Sequence, residues 1–541
     1  MSTTEPERIS AIDTLLQASA RGDAPGYIVG IAQHGRLLVR RASGLASVEQ
    51  AVANTPKTRM RIGSVSKQFT GLAMMLLVED GKLDIDQAVR TYLPELSGPN
   101  GAPTLRQCLN HSSGLRDALD GAAYFLTEGL FPQIPAGLSH RWSSRFSDAH
   151  FAPGEAWNYS NYGYLLLSLV IEKVSGLTLG DFMQQRLFAP LGMVDSQLFP
   201  DDMELLQGLA NSHIRMPDGR YRRGIYPSAE LLGAGGIVST VDDMLRWAAN
   251  LREPKLGSAA SWAEMLRPPR FNNGSEHNYG FGIKCQLHRG VELRWHDGST
   301  FGSKSALLSY PQQGLDIVVM ANRSDAEPGA IGIRIAETLL ADVLAPAKLN
   351  VDAAGREALI GHWYSRESRR VFSISPHQGK LMFAINASPE GLLRVEDDGA
   401  IGNDSSAGPL RLLSAVEDTA TQIDVQLCGQ RETYARLPET APPLDELAAQ
   451  LVGHYYLQDF ATPVRIVFER GELHIDLDSR YQPCRIRLTP VSDEVLLCSL
   501  RFFGAPLQGT LSLQRRDGAV SGFYFSLQRS WNLYFARSEA R

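Results

Sequence analysis

Cysteine is scarce in this chain and shows no pattern. The five among its 541 residues, Cys108, Cys285, Cys428, Cys484 and Cys498, are an odd number without a Cys-x-x-Cys pair. That argues against a disulfide framework or a zinc site and for a reducing compartment. There is no basic run or basic–aromatic stripe, and the net charge is −6. Nucleic acid is therefore not an expected partner. No apolar stretch approaches bilayer-spanning length, and residues 165–171 form only a short core segment, so a membrane is not expected either. Residues 1–8 are polar and acidic and lack the basic-then-apolar pattern of a secretory signal, which predicts a cytoplasmic location. Also missing are a Gly-x-Ser-x-Gly elbow, a phosphate-binding loop, a dinucleotide glycine motif and His-Glu-x-x-His. Folds built on those motifs lose their main support.

What is present is an ordinary globular composition, 43% hydrophobic and 21% charged, in a chain long enough for two to four domains. The last third carries an internal repeat. Leu359-Ile360-Gly361-His362-Trp363-Tyr364 recurs as Leu451-Val452-Gly453-His454-Tyr455-Tyr456. Gly379-Lys380-Leu381 recurs as Gly471-Glu472-Leu473 at the same offset, and each copy ends with Tyr and Arg close together (Tyr434, Arg436; Tyr534, Arg537). Between these marks the residues alternate in the manner of strands, which predicts two small antiparallel barrels or sandwiches. Proline-containing stretches at 345–348 and 438–443 read as linkers. The expected domains are 1–345, 350–440 and 446–541. His362 and His454, at matched positions of a repeat, read as structural.

The first domain mixes both element types. Alternation predicts a hairpin over 27–40 and late strands over 291–295, 305–310 and 315–321; helical runs cover 64–79, 162–174 and 241–250. Strands at both ends with helices between predict an α+β domain, one antiparallel sheet whose outer strands come from the two ends.

Three short motifs carry chemistry. Ser64-Val65-Ser66-Lys67 is the only Ser-x-x-Lys and opens a helix that is apolar nearly all round. Three residues of helical separation put hydroxyl and amine on one face. In a core helix the Lys67 pKa should fall, and a serine beside a lysine that sheds its proton is an activated nucleophile. Taken alone the motif is short, and Ser64 could be a plain cap. The second motif is Tyr159-Ser160-Asn161, the only Tyr-x-Asn, at the end of a turn-rich approach and before an apolar helix. The third is His296-Asp297-Gly298-Ser299, after a strand. Gly298 would let a ligand run along the strand edge, and the amides of Ser64 and Ser299 would form an oxyanion hole. Asp297 is not expected to complete a Ser-His-Asp triad, because adjacent strand residues face opposite ways.

In this order and spacing the motifs resemble the serine β-lactamase and penicillin-recognising family. Supporting phrases are Leu109-Asn110-His111-Ser112-Ser113-Gly114-Leu115, Pro190-Leu191-Gly192-Met193, Gly235-Gly236-Ile237-Val238-Ser239-Thr240 and Tyr279-Gly280-Phe281-Gly282. The whole-chain plan is most similar to the bacterial D-aminopeptidase type, with a histidine in the third motif and two appended barrels. The resemblance implies a β-lactamase-like catalytic domain and acyl transfer to water through an acyl-enzyme, without metal or cofactor. It implies Ser64 as nucleophile and Lys67 and Tyr159 as the proton-moving pair, with the choice of base left open. Asn161, His296, Gly298 and Ser299 would bind substrate. In that type a loop of the last domain offers an acid to the substrate amine. The comparable stretch here, residues 478–485, is shorter and more basic: Asp476 and Asp478 stand near its start, and Arg480 and Arg485 could favour a carboxylate-bearing substrate. The expected reaction is hydrolysis of a small amide or peptide, as a D-stereospecific aminopeptidase or amidase. The alternatives are an esterase or β-lactam-hydrolysing relative, and a sensing module that acylates without turnover. The expected partner is the small-molecule substrate, with a homodimer as the open association.

Overall fold

A computed structural model describes residues 4–18, 22–121, 125, 137–199, 204–225, 231–405, 408–413, 421–427, 429–477, 484–502 and 505–538. Its first sheet is antiparallel, built from β1 (Tyr27–Gln33), β2 (Arg36–Ser43), β3 (Lys284–His288), β4 (Val291–Ser299), β5 (Lys304–Tyr310) and β6 (Leu315–Ala321). The spatial order is β3-β4-β5-β6-β1-β2, so the two ends of the domain meet mid-sheet, with Tyr27 opposite Ala321. The expectation that the outer strands come from the two ends is corrected: the first and last strands, β1 and β6, pair in the middle, and the edges are β2 and β3. Strand β6 is apolar on both faces because both are covered. Ile317, Val319 and Ala321 pack with Ile12 of helix α1 (Glu5–Ala18) and Ile335 of a late helix, Pro328–Leu339. Val318 and Met320 face the main helical core.

That core is centred on α2 (Ser66–Glu79), in which every residue from Ser66 to Leu77 is buried. Phe69 stacks on Trp247 with ring centroids 3.9 Å apart, and the Trp247 indole donates to Gln68 Oε1 over 2.6 Å. The second long helix, α3 (Asn161–Ser175), starts where the Ser160 hydroxyl accepts from the Gly163 amide and ends at the left-handed Gly176. The middle residue of Tyr-x-Asn is therefore the cap, and Asn161 is the first helical residue.

The repeat has a physical cause. Arg436, near the end of the first copy, donates to the carbonyls of Ala358 and Ile360; Arg537 donates to those of Gln450 and Val452. Each pair of acceptors is matched across the copies. Each arginine clasps its copy's last strand to the turn before its first strand and lies over a ring, Trp363 or Tyr455. The second copy is a closed eight-stranded barrel. The first differs from the expected barrel: its nine strands form an open sheet, ending in Ser388–Leu392 and the two-residue strand Arg394–Val395. These two edge strands are consecutive in the chain, separated only by Leu393, so the sheet is nearly a barrel.

The three regions share cores. Trp157 and Tyr279 join the apolar cluster of the open sheet. Phe125, Leu138, Trp142 and Phe146 join that of the barrel, where Phe146 meets Phe460 edge-on at 5.3 Å. No helix among the described residues is long and apolar enough to cross a membrane.

Candidate active site

Ser64 sits in a single 3-10 turn, Gly63–Val65, directly ahead of α2, and Lys67 occupies the first turn of that helix. Lys67 is fully buried. Its Nζ lies 3.2 Å from Ser64 Oγ, 2.9 Å from Asn161 Oδ1 and 2.6 Å from the Ala234 carbonyl. Burial pushes the Lys67 pKa well below the lysine range, and Arg529 adds to the fall against the opposing Asp120, Asp117 and Asp297. A neutral amine has two N–H groups and one lone pair. Asn161 Oδ1 and the Ala234 carbonyl accept the two N–H groups, so the lone pair is left for the Ser64 hydroxyl.

Tyr159 closes the other side. The Lys67 ammonium position is 4.7 Å from the centre of its ring. The phenol oxygen is buried and makes no hydrogen bond of ordinary geometry among the described residues. Burial raises its pKa; the nearby Ser64 hydroxyl and Arg529 oppose that rise. Both shifts favour an uncharged amine beside an intact phenol.

The edge of β4 comes in against the turn that carries Ser64. A Cβ on Gly298 would lie 1.9 Å from the Ile62 carbonyl, and one on Gly63 would lie 2.7 Å from the Ser299 nitrogen. Side chains at either position would push the strand away. Their absence lets the Ser299 amide stand beside the Ser64 turn.

His296 is placed by a chain of hydrogen bonds whose direction is set from both ends. The Ser160 amide donates to His111 Nδ1 at 3.2 Å, so the His111 proton is on Nε2, facing the Tyr279 hydroxyl at 3.2 Å. At the other end His296 Nδ1 faces the Asp297 carbonyl at 2.5 Å and must carry a proton; Nε2 is then the acceptor for the Tyr279 hydroxyl at 2.8 Å. Burial, partly countered by Asp297 and reinforced by Lys284 and Lys67, lowers the His296 pKa to about 3. His296 lines the cleft as a neutral ring with both nitrogens engaged. Asp297 pairs with Lys284 at 3.1 Å instead of with the imidazole, in keeping with the absence of a triad. Burial disfavours its charge, but Lys284 more than compensates and its pKa falls.

These groups line a cavity of about 230 Å³. Ser64, Tyr159, Asn161, His296, Asp297 and Ser299 are all on its wall, and Gly298 lies behind it. The sequence reading missed the rest of the wall. Arg370, Ile385 and Leu427 come from the open sheet, and Gln528, Arg529 and Trp531 from the barrel. His111 and Tyr279 stood in recognised phrases without a role. Of the stretch marked for substrate specificity, residues 478–483, including Asp478 and Arg480, lie outside the described residues. Arg485 is tied to Glu469 and Asp476 on the barrel exterior and is absent from the cavity wall. Among the described residues no group of three His, Cys, Asp or Glu side chains could hold a metal ion.

The beta-lactamase family profile matches residues 11–341. The chain belongs to the beta-lactamase family. Beyond that domain it is similar to the D-aminopeptidase of Cereibacter sphaeroides, with 26% identity over 98% of this chain and 99% of that protein. The D-aminopeptidase of Brucella canis is 30% identical over 68% of this chain and 69% of its own length. Among solved structures, the octameric penicillin-binding protein homologue from Pyrococcus abyssi matches 98% of this chain and 100% of its own, with a TM-score of 0.56 and 18% identity. At that identity the likeness is one of fold.

Proposed function

We propose that this beta-lactamase family protein is a serine hydrolase that cleaves small amides or peptides after a D residue, through an acyl-enzyme on Ser64. The observation that carries the reading is the Lys67 amine, dehydrated and with both N–H groups bound, facing the serine hydroxyl. The substrate class follows the D-aminopeptidase relatives, which match this chain nearly end to end.

In this reading Ser64 Oγ attacks the scissile carbonyl as its proton passes to Lys67 Nζ. The Ser64 and Ser299 amides hold the oxyanion. The Tyr159 phenol, kept protonated by burial, gives its proton to the leaving amine as the C–N bond breaks, and recovers one from Lys67. Water then attacks the acyl-enzyme by the same path in reverse roles. Asn161 Oδ1 is committed to Lys67, which leaves the amide nitrogen of the same side chain to receive the substrate carbonyl. His296 contributes shape without moving a proton.

The test is a panel of D- and L-aminoacyl nitroanilides beside short-chain nitrophenyl esters. Turnover of D-anilides over L-anilides supports the proposal. Turnover of esters alone overturns the aminopeptidase reading in favour of an esterase, and one equivalent of product without steady turnover would make the protein a sensor. The expected homodimer is tested separately by sedimentation equilibrium.

A further inference from the structure

Residues 116–121 of the catalytic domain run along the barrel, and all but one of them meet it. Arg116 Nη1 donates to the Trp531 carbonyl over 2.6 Å. Ala118 is part of the barrel's apolar cluster, and Leu119 packs against that cluster. Asp120 stands 3.9 Å from Arg529. Gly121 ends the segment where no side chain fits: a Cβ there would lie 2.6 Å from Ser530 Cβ. The barrel loop they meet joins Ala519–Ser526 to Leu533–Ser538. It lines the catalytic cleft and carries Arg529 over the Tyr159 ring. The segment is the socket in which that loop is docked.

Asp117 turns the other way. It is buried, and its Oδ2 accepts from the Tyr162 amide and its Oδ1 from the Leu119 amide, each over 2.9 Å. Tyr162 is the second residue of α3, so its amide is one of the donors that no helical carbonyl reaches. Ser160 Oγ takes the next such donor, the Gly163 amide, and Asp117 takes this one. The carboxylate thereby joins the barrel socket to the turn that carries Tyr159 and Asn161, and Asn161 Oδ1 holds Lys67 Nζ. Burial and the Asp120 charge raise the Asp117 pKa, while the two amides and Arg529 oppose the rise. Serving both amides takes two acceptor oxygens. An asparagine has one, and its Nδ2 would face the second N–H.

Resting on the Ser64 hydrolase reading above, we infer that Asp117 is a positioning residue through which the docked barrel loop fixes the Tyr159–Asn161 turn against Lys67. Asp117 touches none of the reacting groups; it acts through the helix end it holds. A second tie runs beside it, from Asn158 Nδ2 to the Arg529 carbonyl. Proximity does not choose between the two routes, whereas energetic coupling does.

The experiment uses the full chain with Asp117→Asn, Gly121→Ala and the double variant. Hydrolysis of nitrophenyl acetate reads the Ser64 machinery, and hydrogen exchange in peptides covering residues 158–163 reads the turn without any substrate. Asp117→Asn should lower kcat by about fivefold, the scale of one buried hydrogen bond, with KM changed less, and should speed exchange in those peptides. Gly121→Ala, whose added methyl meets the barrel loop, should do the same at a distance. In the double variant the second substitution should add little to the first. Ser530→Thr wedges the same junction from the barrel side and replaces Gly121→Ala if that variant does not fold; Asp117→Ser, again with one oxygen, replaces Asp117→Asn. Unchanged exchange at 158–163 in the docking variant would overturn the inference, as would unchanged kcat in the Asp117 variant. So would a double variant whose loss is the product of the two single losses, which would assign the route to Asn158. A wild type inactive on the ester, with the exchange pattern intact, would instead overturn the hydrolase reading alone.

Discussion

The side-chain amide of Asn158 holds the backbone carbonyl of Arg529 at 3.0 Å, so the residue before Tyr159 is tied directly to the C-terminal barrel. Asn158→Ala removes this tie while leaving the catalytic side chains in place. One buried hydrogen bond is worth about 1 kcal/mol, or roughly a fivefold effect. The expected outcome is a rise in KM of that order with kcat changed less, read from steady-state kinetics.

Ser64→Ala leaves Lys67 Nζ with its two carbonyl partners and deletes only the nucleophile. Hydrolysis should fall by at least about 10³-fold, as in other serine enzymes that lose their nucleophile. Intact-mass spectrometry after a slow-turnover ester should find one acyl group on wild type and none on the variant. Equal labelling of both would move the nucleophile elsewhere.

The pH profile should lack an imidazole limb. His296 is held neutral down to about pH 3, and burial also keeps the His111 pKa well below the histidine range. The acidic limb should instead report the coupled Lys67–Tyr159 pair. Lys67 works as the free amine, so activity is gained as pH rises through its depressed pKa. Arg529→Gln removes a neighbouring cation that lowers that pKa, and should move the limb of kcat/KM to higher pH.

Lys67 also couples stability to pH. Its folded-state pKa lies below the unfolded one, so between the two values the unfolded chain binds the extra proton and stability rises with pH. Lys67→Met should abolish activity and flatten the dependence of Tm on pH below about 10, the ordinary lysine pKa. Scanning calorimetry at several pH values reads this directly.

Tyr279→Phe breaks the hydrogen-bond chain at its middle. It leaves His296 Nε2 without a donor and the His111 Nε2 proton without an acceptor. Two stranded buried groups cost about 1–3 kcal/mol each. Urea denaturation should register that loss.

Much of the site was legible because its chemistry is local. Ser64 and Lys67 are one helical turn apart, Tyr159 and Asn161 bracket a helix cap, and Gly298 precedes the Ser299 amide, which stands beside the turn that carries Ser64. The repeat was visible for a similar reason: each copy needs the same arginine at its end to hold the same turn at its beginning. Arg529 was not legible. It reaches Tyr159 only because two distant β units fold against the catalytic domain, and no periodicity in sequence encodes that approach. Attention to basic residues near the comparable loop fell on Arg485, which is held by Glu469 and Asp476 on the barrel exterior.

Phe125, Trp142 and Phe146 are set into the barrel's interior alongside Phe460, Phe525 and Phe535. The connector at 438–443 is thus a seam in the covalent chain without being a seam in the solid body. A protease that nicked it would release nothing: both fragments should travel as one particle through gel filtration and part only in denaturant.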